Sequence, residues 1–88
     1  MPDKLRSGLE NTLAKAQQSG AAGLREWLNQ YRRYVADPRL AWIELDYCVL
    51  VARENPTEAR RIFAEVKARV APTSPVYPRI KQLEKTYE

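Results

Sequence analysis

The side chains best equipped for chemistry in this 88-residue chain are the carboxylates Glu44 and Asp46, the thiol of Cys48 and two arginine doublets, Arg32-Arg33 and Arg60-Arg61. Paired carboxylates can divide acid and base work between them. On a helix, positions two apart point about 200° from each other, so a rigid helix holds these two away from any common atom. Cys48 is the only cysteine, so no disulfide closes within the chain, and its neighbours Leu45-Asp46-Tyr47-Cys48-Val49-Leu50 are mainly apolar. Such surroundings raise a thiol pKa and suit a core residue better than a nucleophile. The chain has no histidine, which removes the usual neutral-pH base and the commonest nitrogen ligand for metals. Its three glycines, Gly8, Gly20 and Gly23, match neither nucleotide-binding fingerprint. These residues point away from catalysis, and we expect no enzyme, no metal and no cofactor.

Ten of the fifteen basic residues are arginine, whose planar forks pair bidentately with phosphate and carboxylate. Arg32, Arg33, Arg60 and Arg61 are therefore the candidate contacts for an anion or a nucleic acid. The same residues also fit ordinary solvated faces, because Glu65 follows Arg60 and Arg61, and Glu26 shares a helix with Arg25, Arg32 and Arg33. A net charge of +4 and a pI near 9.5 lean toward nucleic acid, but aromatics alternate with basic residues only from Trp27 to Tyr34.

With 44% apolar and 30% charged residues, the chain is too apolar for disorder and has a mean hydropathy of -0.59. Its length suits one core, so we expect a single domain over 1–88. The longest uncharged runs, around 16–24 and 71–78, fall short of the roughly 20 apolar residues a bilayer span needs. Met1-Pro2-Asp3-Lys4 runs into an amphipathic pattern rather than a secretory signal, and the expected compartment is the cytoplasm.

The elements that must position these side chains all read as helices. Leu5, Leu9, Leu13 and Ala16 define a first helix over about 3–18, closed by Ser19-Gly20. Leu24, Trp27, Leu28, Tyr31 and Val35 follow the i, i+3, i+4, i+7 pattern of a second helix over about 21–36. Asp37-Pro38 then opens a third, with Asp37 as cap, running to about Arg53. Asn55-Pro56-Thr57-Glu58 repeats the device with capping-box spacing and starts a fourth over about 56–71. Its core stripe is Ala59, Ile62, Phe63, Val66 and Val70. Thr73 or Ser74 caps a last helix of about 75–87, which carries Val76, Ile80, Leu83 and Tyr87 on one face, with Pro78 in its first turn. The fold class is all-α, with five helices in antiparallel pairs.

A shift of 35 residues lays Leu24 on Ala59, Trp27 on Ile62, Leu28 on Phe63, Tyr31 on Val66 and Val35 on Val70. It also lays Ala36 on Ala71 and Trp42 on Tyr77. Such a period belongs to arrays of paired helices, here about two and a half units with a final capping helix. Trp42, Leu45, Ala59, Phe63 and the closing Pro72 resemble the tetratricopeptide family and its relative, the half-a-tetratricopeptide repeats. One extra residue sits in the turn. Asp46 stands where the family has a small residue, and Val49 falls near its tyrosine. The likeness covers about residues 38–77. It implies a superhelix fragment that serves as a protein-interaction scaffold. The same period fits the pentatricopeptide class, which reads single-stranded RNA one base per repeat.

The third helix carries two apolar stripes. Ala41, Leu45, Cys48, Val49 and Ala52 fall on one side, while Ile43, Tyr47 and Leu50 fall on the other. Glu44, Asp46 and Arg53 lie in the strips between. The resemblance implies a concave groove lined by Leu40, Ile43, Tyr47, Leu50 and Val51, so both arguments select Ile43, Tyr47 and Leu50. That second stripe admits three occupants: the domain's own neighbouring helices, a peptide or helix of a partner protein, or a second copy of the chain in a homodimer. The expected function is partner binding, with RNA binding through the arginine faces as the alternative.

Overall fold

Five α-helices make up the chain in a computed structural model that describes residues 3–87, with side chains from Gly8 to Tyr87. They are α1 (Asp3–Gln18), α2 (Gly20–Tyr31), α3 (Arg39–Val51), α4 (Pro56–Arg69) and α5 (Tyr77–Tyr87), with a short 3-10 turn, Arg32–Tyr34, after α2. No strand occurs among the described residues, so the fold is all-α. The side chain of Leu5 lies outside the described residues. The chain gathers into two compact units that divide between Val35 and Ala36.

In the first unit α1 packs against α2. Gly20, at φ +77°, makes the reversal between them, a conformation that costs a residue with a Cβ about 1–2 kcal/mol. Leu9 and Leu13 of α1 and Ala21, Leu24, Trp27 and Leu28 of α2 are buried. Three residues on, the backbone nearly touches itself: a Cβ on Gly23 would lie 2.5 Å from Ser19 Cβ and 2.7 Å from the Ala16 carbonyl oxygen. Trp27 Nε1 donates to Thr12 Oγ1 at 2.9 Å, and that hydroxyl donates in turn to the Leu9 carbonyl at 2.9 Å. The second helix ends at Tyr31, short of the expected 36, and Val35 is already extended. Pro38 has no N–H to offer the Tyr34 carbonyl and disfavours helical geometry at Asp37, so the last residues tighten into 3-10.

In the second unit α3 packs on α4, and α4 on α5. Its core includes Ala41, Leu45, Cys48 and Val51 from α3, Ala59, Ile62, Phe63 and Val66 from α4, Val76 from the turn before α5, and Ile80 from α5. Burying each of the larger side chains contributes about 1.5–3 kcal/mol. Asp37 does serve the start of α3, its Oδ1 accepting from the Ala41 amide at 3.2 Å, although the helix begins at Arg39. Asn55 caps α4 as its spacing predicts, with Oδ1 accepting from the Glu58 amide at 3.1 Å and Pro56 in the first helical position. The Glu58 carboxylate, expected to complete a capping box, instead pairs with Arg61 at 2.5 Å. The fifth helix starts at Tyr77 rather than 75, after Ser74 Oγ accepts from the Val76 amide at 3.3 Å. Pro78 falls where a first-turn N–H needs no partner. The rings of Phe63 and Tyr87, 5.9 Å apart, join α4 to α5.

Candidate functional site

The two carboxylates singled out by type take different parts. Glu44, 1% exposed, accepts from Arg69 Nη2 at 2.5 Å. The same guanidinium donates to Asp37 through Nε at 2.8 Å and Nη2 at 3.1 Å. Burial pulls the Arg69 pKa down, and the hydrogen bonds to Glu44 and Asp37 outweigh it, leaving the guanidinium firmly charged. This fork ties the end of α4 to the start of α3, and it places a negative charge where the α3 amides favour one. Asp46 is half-buried; desolvation raises its pKa against the opposing pull of Arg79 and Arg39. Cys48 is fully buried, its thiol donates to the Ala59 carbonyl at 3.2 Å, and burial pushes its pKa up to about 11. It is a neutral core thiol at ordinary pH.

The expected groove residues are mostly interior. Leu40, Ile43, Tyr47 and Val51 are buried, with Tyr47 only 2% exposed, and of the five only Leu50 reaches the surface at 39%. The apolar side chains that α3 leaves in solvent are Trp42 (38%), Val49 (38%) and Leu50. With Arg39 and Asp46 they share about 100° of arc on α3. The open face is thus rotated by about 100° from the expected one, and Leu50 is the residue common to both. The reason lies in a helix that is apolar almost all round: its periodicity alone leaves undecided which apolar side faces water. Of the residues that carry the tetratricopeptide resemblance, Leu45, Ala59 and Phe63 are buried and Trp42 is not.

The arginine doublets also differ. Arg32 and Arg33 are exposed on the 3-10 turn, and the Arg33 guanidinium stands 5.7 Å from the ring centre of Tyr34, itself 48% exposed. Arg60 is exposed. Arg61 is held by carboxylates on its own helix, Glu58 at 2.5 Å and Glu65 at 2.8 Å, so it is an intrahelical ion-pair member rather than an open anion contact.

Two features have no counterpart in the spacing. The Arg69 fork joins residues 25 and 32 positions apart in sequence. In the first unit, a groove of about 340 Å³ is lined by Thr12, Lys15, Glu26, Trp27 and Tyr31, among others. Its two aromatic rings stand 5.4 Å apart and tilted by 49°. No family model, no curated protein and no solved structure matches the chain.

Proposed function

We propose that this chain is a non-catalytic protein-interaction module, built of tetratricopeptide-like helical hairpins, that docks a partner protein on the outer face of α3. The observation that carries this reading is the strip of Trp42, Val49 and Leu50, three large apolar side chains left more than a third exposed on one arc of one helix. A non-catalytic role suits the remaining chemistry. Glu44 is engaged by Arg69, and Cys48 stays protonated in the core. No helix among the described residues is long and apolar enough to cross a membrane. We place the module in the cytoplasm, where a lone buried thiol stays reduced. The test is affinity capture from the source cell with wild type and Leu50→Asp in parallel, each checked for helicity by circular dichroism. The reading requires specific proteins that Leu50→Asp loses, and an unchanged set of captured proteins would refute it.

A second reading is favoured by one observation, the exposed Tyr34 with Arg33 beside its ring and Arg32 adjacent. A base can stack on such a ring while the guanidinium groups meet phosphate. This reading calls for binding to poly(U) that weakens steeply with salt and is lost in Tyr34→Ala. No binding at about 50 mM salt removes it.

A further inference from the structure

We infer that the groove between α1 and α2 is a binding site for a small aromatic zwitterion, of the class of free aromatic amino acids. The inference is independent of the α3 docking face and rests on the groups that line this groove.

The aromatic wall is set before any ligand arrives. The Trp27 N–H is taken by Thr12, whose hydroxyl is itself anchored to the Leu9 carbonyl, so the indole is held in one orientation. Tyr31, half-buried, stands against it with ring centres 5.4 Å apart and tilted by 49°. A third ring packed edge-to-face on such a pair is an arrangement that aromatic quadrupoles favour. At about 340 Å³ the groove lies near the lower bound for small-molecule sites, which suits a ligand of one ring and a short polar arm.

Charge defines the polar arm. Lys15 of α1 and Glu26 of α2 line the same groove from opposite helices, yet neither joins an ion pair, with the other or elsewhere, among the described residues. The side-chain amide of Gln30 and the hydroxyl of Tyr31, also on the lining, have no hydrogen-bond partner among the described residues either. An ammonium and a carboxylate that do not close on each other complement a group carrying both charges. The ligand's carboxylate would accept from Lys15 Nζ, and its ammonium would donate to the Glu26 carboxylate. A ligand with a single charge would leave one side of the groove unanswered.

The repeat offers a comparison within the chain. A shift of 35 residues lays Gly23, Glu26 and Gln30 on Glu58, Arg61 and Glu65, and Lys15 on Leu50. There Arg61 is held by both carboxylates, so the matching surface of the second unit satisfies itself. In the first unit the same positions hold a glycine, a carboxylate and an amide, with an ammonium in place of the leucine. Exposed charges elsewhere in the chain pair along their own helix, as Arg61 and Lys81 do, and those of the groove do not.

Isothermal titration calorimetry on the full chain tests the site with three ligands. They are phenylalanine, phenylethylamine, which lacks the carboxylate, and phenylpropionate, which lacks the ammonium. We expect phenylalanine to bind about tenfold more tightly than either of the others. Lys15→Met should weaken phenylalanine by about tenfold and leave phenylethylamine unchanged, while Glu26→Gln should weaken phenylalanine by a like factor and leave phenylpropionate unchanged. Both side chains are exposed, so neither variant threatens the fold, and Trp27 emission in a Trp42→Phe background reports occupancy of the groove. Equal affinity for the three ligands would overturn the zwitterion. Phenylalanine binding indifferent to both variants would place the ligand elsewhere, and no heat at about 10 mM phenylalanine would remove the site. Each of these results overturns the proposal.

Discussion

The two compact units place apolar residues at matching positions but fasten their helices with different polar chemistry. Leu24, Trp27 and Leu28 in the first unit and Ala59, Ile62 and Phe63 in the second are 35 residues apart and all buried. Val35 and Val70, also 35 apart, both leave the helix in an extended conformation, with ψ 126° and 128°. Yet the first unit closes through neutral, close-range devices: backbone proximity at Gly23 and the Thr12 hydroxyl clasping Trp27. The second closes through charge, with Arg69 held between a nearly inaccessible Glu44 and a more open Asp37. Repeated apolar spacing therefore sets where helices bury their faces, while the polar fastening is particular to each unit and carries different sensitivities.

The largest effect should come from the charged fastening. Arg69→Met takes the guanidinium, itself about a third exposed, from a carboxylate that is 1% exposed, and removing one partner of such a part-buried pair costs about 3 kcal/mol, the low end for ion pairs inside proteins. Urea unfolding should show that loss, and Glu44→Leu/Arg69→Met should recover most of it, since an apolar pair of similar volume is often as stable as the ion pair. A single-variant loss below about 1 kcal/mol would place Arg69 with ordinary surface pairs and erase the contrast between the units. The next effect belongs to the first unit. Alanine in place of a mid-helix glycine normally gains about 1 kcal/mol. At Gly23 the added methyl would meet Ser19 Cβ at 2.5 Å and a backbone oxygen at 2.7 Å, neither the far end of a flexible side chain. Gly23→Ala should therefore lose about 2 kcal/mol, with faster amide exchange in α1 and α2. A gain in melting temperature would refute the close approach.

A smaller loss, about 1 kcal/mol, is expected of Thr12→Val, which keeps the side-chain shape but leaves the Trp27 N–H without its acceptor. Trp27 fluorescence in a Trp42→Phe background checks it, because the emission should shift as the indole seeks water. An unchanged spectrum and unchanged stability would mean that the clasp contributes nothing to the hairpin.

What the sequence made legible follows from what periodicity measures. Helix existence and the buried stripes of α2 and α4 were readable because polar residues separate the apolar ones there. Caps were readable where one side chain meets one nearby amide, as Asn55 does with Glu58. The end of α2 is not legible in the apolar pattern, because Pro38 acts on carbonyls several residues upstream, a cost that pattern does not register. The candidate site was half legible. Leu50 belongs to the expected face, whereas the sequence pattern sets Trp42 in a repeat signature and Val49 in a core stripe, since α3 offers apolar residues in nearly every direction. Tyr47, expected to line a groove, is interior, so Tyr47→Ala tests core packing and says nothing specific about a partner. The Asp37–Arg69–Glu44 fork was out of reach because no local spacing links residues on two helices.

The gentlest probe of the second unit is alkaline pH, which addresses Cys48 without altering a side chain. Its thiol pKa rises from an ordinary 9.0 to about 11 because burial disfavours the thiolate. Below pH 9 the thiol is protonated whether the chain is folded or unfolded, so it adds no pH dependence there. Between about pH 9 and 11 the unfolded chain gives up its thiol proton while the folded one keeps it, so the unfolded state is favoured and stability falls as pH rises. Tyr87, raised first by burial and then by the nearby Cys48 charge, adds a loss of the same sign at the upper end of that window. Cys48→Ala should flatten the part of the curve that begins near pH 9 and leave most of the tyrosine part in place. Alkylation of the native thiol at neutral pH should be correspondingly slow, proceeding only as fast as α3 and α4 open. Rapid labelling at pH 7 in the folded chain would contradict both the burial of Cys48 and the closed core on which the second unit depends.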